Sequence, residues 1–276
     1  MIVDTHAHIY SADEVAYPVI EKPYRPPAGT GTPERLRREA QAAGVDRVML
    51  VQTTTFYGWD NRFVRDTSAA SGEWAAGVCT LNPDDVHSPD VLYEFVALAH
   101  VKALRTYASG DGSFKGHFDH PGNRRLFAAA REMGVVINAL LTVRQANELA
   151  GMLADHPDVP VMLDHCLALS AGPQFDATLE AVVSLARFPN LHAKLTFLPT
   201  GSAEDYPFSD MHAACKRFVD AYGPDRCVWG SDFPTELWCP KVTYAGHLQL
   251  FREELGLSPA EQAAILGDTA ARMYRL

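Results

Sequence analysis

Two histidines, His6 and His8, stand two positions apart at the end of a short apolar segment near the start of the chain. Residues two apart on a β-strand point to the same face, so both imidazoles can be directed at one point. Two imidazoles on one face can chelate a metal ion or hold an anionic oxygen. The spacing therefore predicts a reactive site where this segment ends.

Two later apolar segments also end in reactive side chains. One ends in Leu163-Asp164-His165, and the other in Trp229-Gly230-Ser231-Asp232. A carboxylate at the end of an apolar strand is costly to bury without a partner. An isolated Gly-Ser-Asp would indicate a turn or a helix cap, but the histidine pair favours a reactive Asp232.

The elements that must position these residues are short apolar segments alternating with longer amphipathic ones. Continuous apolar runs are typical of parallel strands that are covered on both faces. The predicted strands are Ile2–Ile9, Arg47–Thr53, Trp74–Leu81, Val101–Tyr107, Val135–Leu141, Val159–His165, Leu191–Phe197 and Cys227–Ser231. The predicted helices are Pro33–Ala43, Asn61–Ser71, Asp90–Ala99, Asn123–Met133, Arg144–Ala154, Gln174–Ala186, Asp210–Tyr222, Tyr244–Leu255 and one from Pro259.

Eight strand–helix units predict an α/β fold, a single (β/α)₈ TIM barrel over residues 1–276. Repeated units of this kind give parallel strands with right-handed crossovers, and eight of them close a barrel. About 250 residues is the usual length of that fold, and its active site lies at the carboxyl ends of the strands. His6, His8, His165 and Asp232 would therefore meet at one end of the barrel.

Composition limits the partners and the compartment. The net charge of -10 disfavours nucleic acid and anionic membrane surfaces, and no apolar run approaches the roughly 20 residues of a membrane span. The five cysteines are dispersed, which indicates reduced thiols, and the start of the chain lacks a signal-peptide pattern. We expect a cytoplasmic protein that acts on a small molecule; its oligomeric state stays open.

These motifs resemble the amidohydrolase superfamily, in its amidohydrolase-related branch of TIM-barrel hydrolases. The resemblance covers essentially the whole chain and is strongest to the group of 2-pyrone-4,6-dicarboxylate lactonases and sugar lactonases. It rests on D-x-H-x-H at Asp4, Val51-Gln52 followed by Gly58-Trp59-Asp60-Asn61, Asp164-His165, Lys194, and W-G-S-D-x-P at Trp229. The first and last of these motifs are the specific ones.

The resemblance implies roles for individual residues. Asp232 would be the general base that takes a proton from the attacking water, and His165 would act beside it on the scissile carbonyl or the developing oxyanion. A metal ion, if one is bound, would be held by His6, His8 and Asp232. Substrate contacts would come from Gln52, Thr54, Arg105 and His8. From its chemistry alone, Arg105 is either a clamp for a substrate carboxylate or one half of a surface ion pair.

Two departures from the family pattern bear on the metal. The fifth strand reads Val136-Ile137-Asn138-Ala139-Leu140-Leu141 and offers no histidine, and the fourth ends in Arg105 where a bridging Lys or Glu would hold two metals. A binuclear centre is therefore not expected. One zinc ion held by His6, His8 and Asp232 stays open, and catalysis need not depend on it.

We predict a lactonase that opens a cyclic ester of a small acidic or sugar-derived substrate, with water activated by Asp232. A lactone carbonyl needs only general-base and oxyanion assistance, so a weak or absent metal is tolerable. The alternatives are a zinc-dependent decarboxylase of the same branch and a non-catalytic binding barrel. The first needs a firm metal site, and the second predicts a decayed site.

The segment from Tyr10 to Pro33 is longer than an ordinary loop, and it is interpreted either as a lid over the site or as a surface excursion. Further candidates to line the pocket are Tyr24, Arg25, His117, His120 and Trp238. The remaining histidines are interpreted as surface or structural residues: His87, His100, His156, His192, His212 and His247.

Overall fold

Eight parallel strands, joined in the order of the chain, form a nearly closed barrel with helices between them. The structure, a computed structural model, describes residues 1–108 and 116–276. The strands are β1 (Val3–Ala7), β2 (Arg47–Val51), β3 (Ala75–Thr80), β4 (Val101–Thr106), β5 (Val136–Ala139), β6 (Val161–Leu163), β7 (Leu191–Lys194) and β8 (Cys227–Val228). The predicted (β/α)₈ fold is confirmed.

Hydrogen bonds between the first and last strands bring the two ends of the sheet together. His8 N donates to Phe233 O over 2.8 Å, and Asp232 N donates to His6 O over 2.8 Å. A parallel bridge also joins Ala7 to Phe233. The segments that carry His6, His8 and Asp232 are thus neighbours because the barrel closes there.

The helices within the described residues include short turns that the sequence did not indicate. They are α1 (Pro33–Ala43), α2 (Thr54–Tyr57), α3 (Arg62–Ala70), α4 (Ser88–Leu98), α5 (Pro121–Met133), α6 (Ala146–Asp155), α7 (His165–Ala168), α8 (Phe175–Leu185), α9 (Phe197–Gly201), α10 (Ser209–Tyr222), α11 (Thr235–Trp238), α12 (Tyr244–Gln249), α13 (Pro259–Ala263) and α14 (Thr269–Tyr274). Turns of 3₁₀-helix cover Gly72–Trp74, Val143–Gln145 and Pro224–Arg226, and π-helical segments cover Leu250–Glu254 and Ala264–Asp268. None of the described helices is long and apolar enough to cross a bilayer.

Local signals explain where two of the helices begin. The Thr32 hydroxyl accepts a hydrogen bond from Arg35 N and is followed by Pro33, as expected for the start of α1. Ser258 and Glu261 form a reciprocal capping box at the start of α13. The predicted helix from Tyr244 ends in a π-helical segment, and the one from Pro259 is interrupted by another.

Alternation along the strands divides the buried side chains into two clusters. In β2, Met49 and Val51 point into the barrel, whereas Val48 and Leu50 pack under the surrounding helices. The same alternation directs Arg105 of β4 and Lys194 of β7 inward, because their neighbours Leu104 and Ala193 belong to the outer cluster. The mouth of the barrel therefore receives charged side chains from strands that are otherwise apolar.

A register irregularity in β1 between Asp4 and Ala7 changes which face the strand presents. Val3 lies in the inner cluster and Ala7 in the outer one, although a regular strand would place both on the same face. After the irregularity the even-numbered residues point inward. His6 and His8 are consequently directed together into the mouth.

Candidate active site

The predicted catalytic residues converge at the carboxyl ends of β1, β6 and β8. The Nε2 atoms of His6 and His8 lie 3.6 Å and 3.7 Å from Asp232 Oδ1, and His165 Nδ1 lies 3.9 Å from Asp232 Oδ2. The His6 ring is 4.8 Å from the His8 ring and 4.6 Å from the His165 ring, between centroids. Three imidazoles thus surround one carboxylate.

Asp232 reaches this position because β8 turns sharply against β1. A Cβ at Gly230 would lie 2.7 Å from His6 Cβ, so only glycine permits the approach of the two strands. Asp232 itself has a positive φ of 56°. This conformation costs free energy, but aspartate tolerates it better than most residues. The turn places the carboxylate at the mouth with 3% of the residue exposed.

Asp4, the first residue of the D-x-H-x-H motif, lies behind the site and joins its parts. Its carboxylate accepts hydrogen bonds from His6 N (3.0 Å), Ser231 N (2.9 Å), Ser231 Oγ (2.6 Å) and Tyr244 OH (3.0 Å). Burial raises the pKa of Asp4, and these hydrogen bonds oppose that shift. Asp4 therefore ties β1 to the turn that carries Asp232.

Burial sets the protonation states at the centre of the site. It raises the pKa of Asp232 to about 7, although Arg105 opposes the shift. It lowers the pKa of His165 to about 4, and that of His6 and His8 well below the ordinary value, with Lys194 adding to the effect at His6 and Arg105 at His8. The histidines are thus neutral near pH 7, and the carboxylate titrates there.

A buried ion pair beneath His6 is the part of the site to which the sequence assigned no role. Lys194 Nζ lies 2.8 Å from Asp164 Oδ1 and donates to Thr5 O over 3.1 Å. Its third neighbour is His6 Nδ1 at 3.2 Å. An ammonium can only donate. The Lys194 ammonium therefore donates to His6 Nδ1, which then carries no proton. The proton of the neutral His6 ring lies on Nε2, the nitrogen that faces Asp232.

The fifth strand supports this pair and contributes no metal ligand. Asn138 Nδ2 donates to Asp164 Oδ1 over 3.2 Å, and Tyr274 OH lies 3.5 Å from Asn138 Oδ1. Asn138 thus belongs to a buried hydrogen-bond network.

A cavity of about 490 Å³ opens beside the carboxylate, and it receives most of the predicted substrate-binding residues. His8, Thr54 and Arg105 line it, and so do the catalytic candidates His165 and Asp232. Hydroxyl side chains make up much of the wall: Thr53, Thr54, Thr55, Tyr107, Ser170 and Thr200. The volume suits a small molecule.

Arg105 lies in the cavity wall and not on the protein surface. Its Nε donates to Thr80 Oγ1 over 3.3 Å, its Nη2 donates to Gln52 O, and its guanidinium lies 5.7 Å from the centre of the Tyr107 ring. These contacts hold the planar group and leave other N–H donors for a ligand.

Gln52 is the predicted substrate contact that the structure does not bring to the cavity. Its side-chain amide donates to Gly58 O over 2.8 Å and to Asp60 O over 3.1 Å, and 1% of the residue is exposed. Among the described residues, the wall of the cavity passes from His8 to Thr53 without it. Gln52 instead holds the turn that follows α2, because its position two residues before that helix points the amide into the loop.

The structure places some of the other cavity-lining candidates at the cavity and others away from it. Trp238 lines it, with its ring 5.4 Å from that of His8, and Tyr24 packs against Trp238 at 5.3 Å. Arg25 pairs with Glu14, and His117 pairs with Glu148 at 2.7 Å on an exposed part of the chain.

His120 caps α5 away from the cavity and faces Asp84 at 3.5 Å. The long segment after β1 packs on α2 through Tyr10 and Tyr17, beside the cavity. Of the histidines interpreted as structural, His247 is fully buried and lies 3.0 Å from Ser231 O.

The donor atoms of His6, His8 and Asp232 fit one metal ion. They lie within 4.8 Å of one another, and His6 Nε2 is buried without a hydrogen-bond partner among the described residues. His8 Nδ1 donates to Val51 O over 2.6 Å, which leaves its Nε2 lone pair free to bind a metal. Lys194 opposes the ion, since the proton that it leaves on His6 Nε2 must be displaced.

Comparison with known proteins agrees with this architecture. The amidohydrolase family model matches residues 3–276, and the chain belongs to that family. It is 24% identical over 256 residues to an L-fucono-1,5-lactonase of Burkholderia ambifaria, a match that covers 88% of this chain and 85% of that protein.

Solved structures share the fold over the whole chain. A probable 2-pyrone-4,6-dicarboxylic acid hydrolase from Acinetobacter baumannii with bound citric acid has a TM-score of 0.83 and 16% identity, covering 100% of this chain and 99% of that one. An amidohydrolase from Burkholderia multivorans with bound zinc has a TM-score of 0.78 and 24% identity, with the same coverage.

Proposed function

We propose that this protein is a lactonase that hydrolyses a cyclic ester of a small acidic or sugar-derived molecule. The observation that carries the proposal is the carboxylate of Asp232, whose pKa lies at about 7, beside three neutral imidazoles at the mouth of a small-molecule cavity. A general base works best when its pKa is near the working pH. The similarity to a lactonase supports the same reaction.

The reaction follows from the chemistry of these groups. A water molecule beside Asp232 attacks the lactone carbonyl carbon and transfers a proton to the carboxylate. His6 is not part of the cavity wall among the described residues: its Nε2–H faces Asp232, because Lys194 leaves the proton on that nitrogen. The ring C–O bond then breaks, and the departing oxygen takes the proton back from Asp232. The product is an open-chain hydroxy acid.

The other two histidines have different tasks. His8 donates its Nδ1 proton to Val51 O, so its Nε2 can only accept and is suited to orient the attacking water. His165 lies against the cavity, where it can contact the carbonyl side of the substrate. When a zinc ion is bound by His6, His8 and Asp232, it supplies a Lewis acid for the carbonyl.

A panel of lactones tests the proposal directly. Neutral sugar lactones and lactones that carry a carboxylate are followed by acid release with a pH indicator, on chelated protein and on the same protein with one equivalent of Zn²⁺ added. We expect turnover of at least one class after chelation, and at most about one zinc per chain before it.

Activity that falls to background on chelation, and returns in proportion to added zinc, contradicts the metal-independent mechanism. It favours a zinc-dependent hydrolase or the zinc-dependent decarboxylase, and CO₂ release from aromatic carboxylates then distinguishes these two. Absence of turnover with every substrate, with and without zinc, contradicts the lactonase.

The charge of the substrate is tested at Arg105. If its guanidinium binds a carboxylate, Arg105→Met raises KM for acidic lactones by about 10- to 100-fold and leaves neutral lactones nearly unchanged, since a hydrogen bond to a charged group is lost. Arg124→Met, at an exposed arginine paired with Asp155, is the matched control. Equal effects on both substrate classes assign Arg105 to the structure of the wall.

A further inference from the structure

The catalytic candidate His165 begins α7 (His165–Ala168), a turn with an unusual backbone. His165, Cys166, Leu167 and Ala168 have φ values of 53°, 48°, 60° and 55°, so four consecutive residues other than glycine lie in the left-handed region. Elsewhere in the described residues such values occur singly. Each of these residues pays a steric cost between Cβ and the next carbonyl. Contacts from outside the turn must therefore hold it.

Part of the support comes from burial. Cys166 and Leu167 are buried, and Cys166 Sγ lies 3.4 Å from Lys194 O. These contacts anchor the middle of the turn to the barrel wall. They do not touch the imidazole of His165 or the backbone that follows the turn.

Helix α9 contacts both of those remaining parts. Thr196, the residue before α9, is fully buried and its Oγ1 lies 2.7 Å from His165 Nδ1. This short hydrogen bond fixes the plane of the ring. With the hydroxyl as donor, the proton of the neutral imidazole lies on Nε2, where it can be donated to a substrate oxygen.

The opposite end of α9 contacts the backbone after the turn. Gly201 O accepts a hydrogen bond from Ala171 N over 2.8 Å. A Cβ at Gly201 would lie 2.1 Å from Leu169 O and 3.1 Å from the Ser170 Cα. The φ of Gly201 is not positive, so its backbone would accept alanine and only this close approach requires glycine.

We propose that α9 is the element that positions His165, with Thr196 orienting its ring and Gly201 admitting the backbone of the left-handed turn. Thr196 and Gly201 are positioning residues, since they act through His165. The kinetic part of this inference rests on the proposed lactonase activity, whereas the placement of the ring does not.

The experiment compares Thr196→Val, which keeps the shape of the side chain, with Thr196→Ser, which keeps the hydroxyl. NMR of the imidazole nitrogens reports the ring, with the His165 signals assigned from their loss in His165→Gln. We expect the Val variant to change the His165 nitrogen shifts and to lower kcat by about 10- to 100-fold at nearly constant KM, because a small misplacement of a reacting group has effects of this size. The Ser variant keeps both within about threefold of wild type.

The second arm uses two glycines in helices. Gly201→Ala forces Leu169 O to move, and we expect the same changes at His165. Gly151→Ala in α6, where an added Cβ meets nothing within 4 Å, is the matched control and leaves kcat and the His165 signals unchanged.

Unchanged His165 signals and kcat in Thr196→Val overturn the inference, whether or not Gly201→Ala folds. Equal losses in the Val and Ser variants also overturn it, because they show that the hydroxyl is not the operative group. If the wild-type protein hydrolyses no lactone, the NMR comparison still decides the placement of the ring, and only the proposed function fails.

Discussion

Two buried aspartates on either side of the junction between β1 and β8 have opposite surroundings. Asp4 accepts four hydrogen bonds, from His6 N, Ser231 N, Ser231 Oγ and Tyr244 OH. Asp232 faces three imidazoles at 3.6–3.9 Å, and none of the described residues donates a hydrogen bond to its carboxylate. Both residues are nearly inaccessible to solvent.

The difference separates a structural role from a catalytic one at the junction of two motifs. A buried carboxylate with its hydrogen bonds complete holds neighbouring segments in place and has no free lone pair for a substrate. A buried carboxylate without them is costly, and it has a raised proton affinity that a general base can use. The comparison predicts that changes at Asp232 affect catalysis and changes at Asp4 affect stability.

The largest effect is expected for Asp232→Asn. The amide keeps the size of the side chain but cannot take the proton of water, so we expect kcat to fall by about 10²- to 10⁴-fold in a folded protein. Turnover and circular dichroism are measured together, with Asp205→Asn at an exposed aspartate as the control. A variant that keeps more than half of the wild-type turnover shows that Asp232 is not the base.

The next effect is the pH dependence of the metal-free enzyme. Burial raises the pKa of Asp232 to about 7, and the base must be ionised to act. We therefore expect kcat/KM to be constant above about pH 7 and to fall about tenfold per unit below it, or about 100-fold by pH 5. The residual activity of Asp232→Asn lacks this limb. If kcat/KM falls only below pH 5, the pKa of Asp232 is not raised, and the carboxylate does not lack hydrogen-bond donors as described.

Much of this arrangement could be predicted from the sequence, because it depends on local signals. Most of the strands are continuous apolar runs, Thr32-Pro33 and Ser258-Pro259 signal the starts of two helices, and His6, His8 and Asp232 stand at strand ends. Closure of the barrel then brings these ends together without further information.

The missed features depend on contacts between distant segments. Nothing in His165-Cys166-Leu167-Ala168 favours a left-handed turn, which is held by contacts with β7 and α9. For the same reason the predicted sixth strand ends early, at Leu163, where the turn toward the cavity begins. The sequence identifies Lys194 only as a residue of a predicted strand. Its contacts with Asp164 and His6 form only when β6, β7 and β1 come together in the barrel.

The third prediction concerns the other aspartate. In Asp4→Asn an NH₂ group replaces one acceptor oxygen, so the hydroxyls of Ser231 and Tyr244 lose a shared partner. We expect the free energy of unfolding to fall by about 1–3 kcal/mol, the cost of leaving buried polar groups unsatisfied. Denaturant unfolding measures it, and Tyr244→Phe, which removes one of the donors, is the comparison. Unchanged stability in Asp4→Asn contradicts the structural role.

The smallest expected effect is the change in stability of Asp232→Asn. It separates Asp232 from Asp4 most clearly, because its sign is opposite to that expected for Asp4→Asn. Asp232→Asn should raise the free energy of unfolding by about 0.5–2 kcal/mol, in the range of other stabilising substitutions at strained functional sites. Asparagine tolerates the positive φ of this position and carries no charge to desolvate. Loss of the attraction to Arg105 limits the gain.

The pH dependence of this gain follows from linkage. The folded-state pKa is raised from 3.8 to about 7, so the wild-type native state holds its proton over that interval while the unfolded state releases it. Wild-type stability from this group is therefore present below about pH 4 and is lost as the pH rises through about 7. Melting temperatures of wild type and Asp232→Asn should differ most above pH 7 and converge near pH 4. A variant that is less stable than wild type at pH 8 indicates that the carboxylate is paired in the native state, and the contrast between Asp4 and Asp232 then fails.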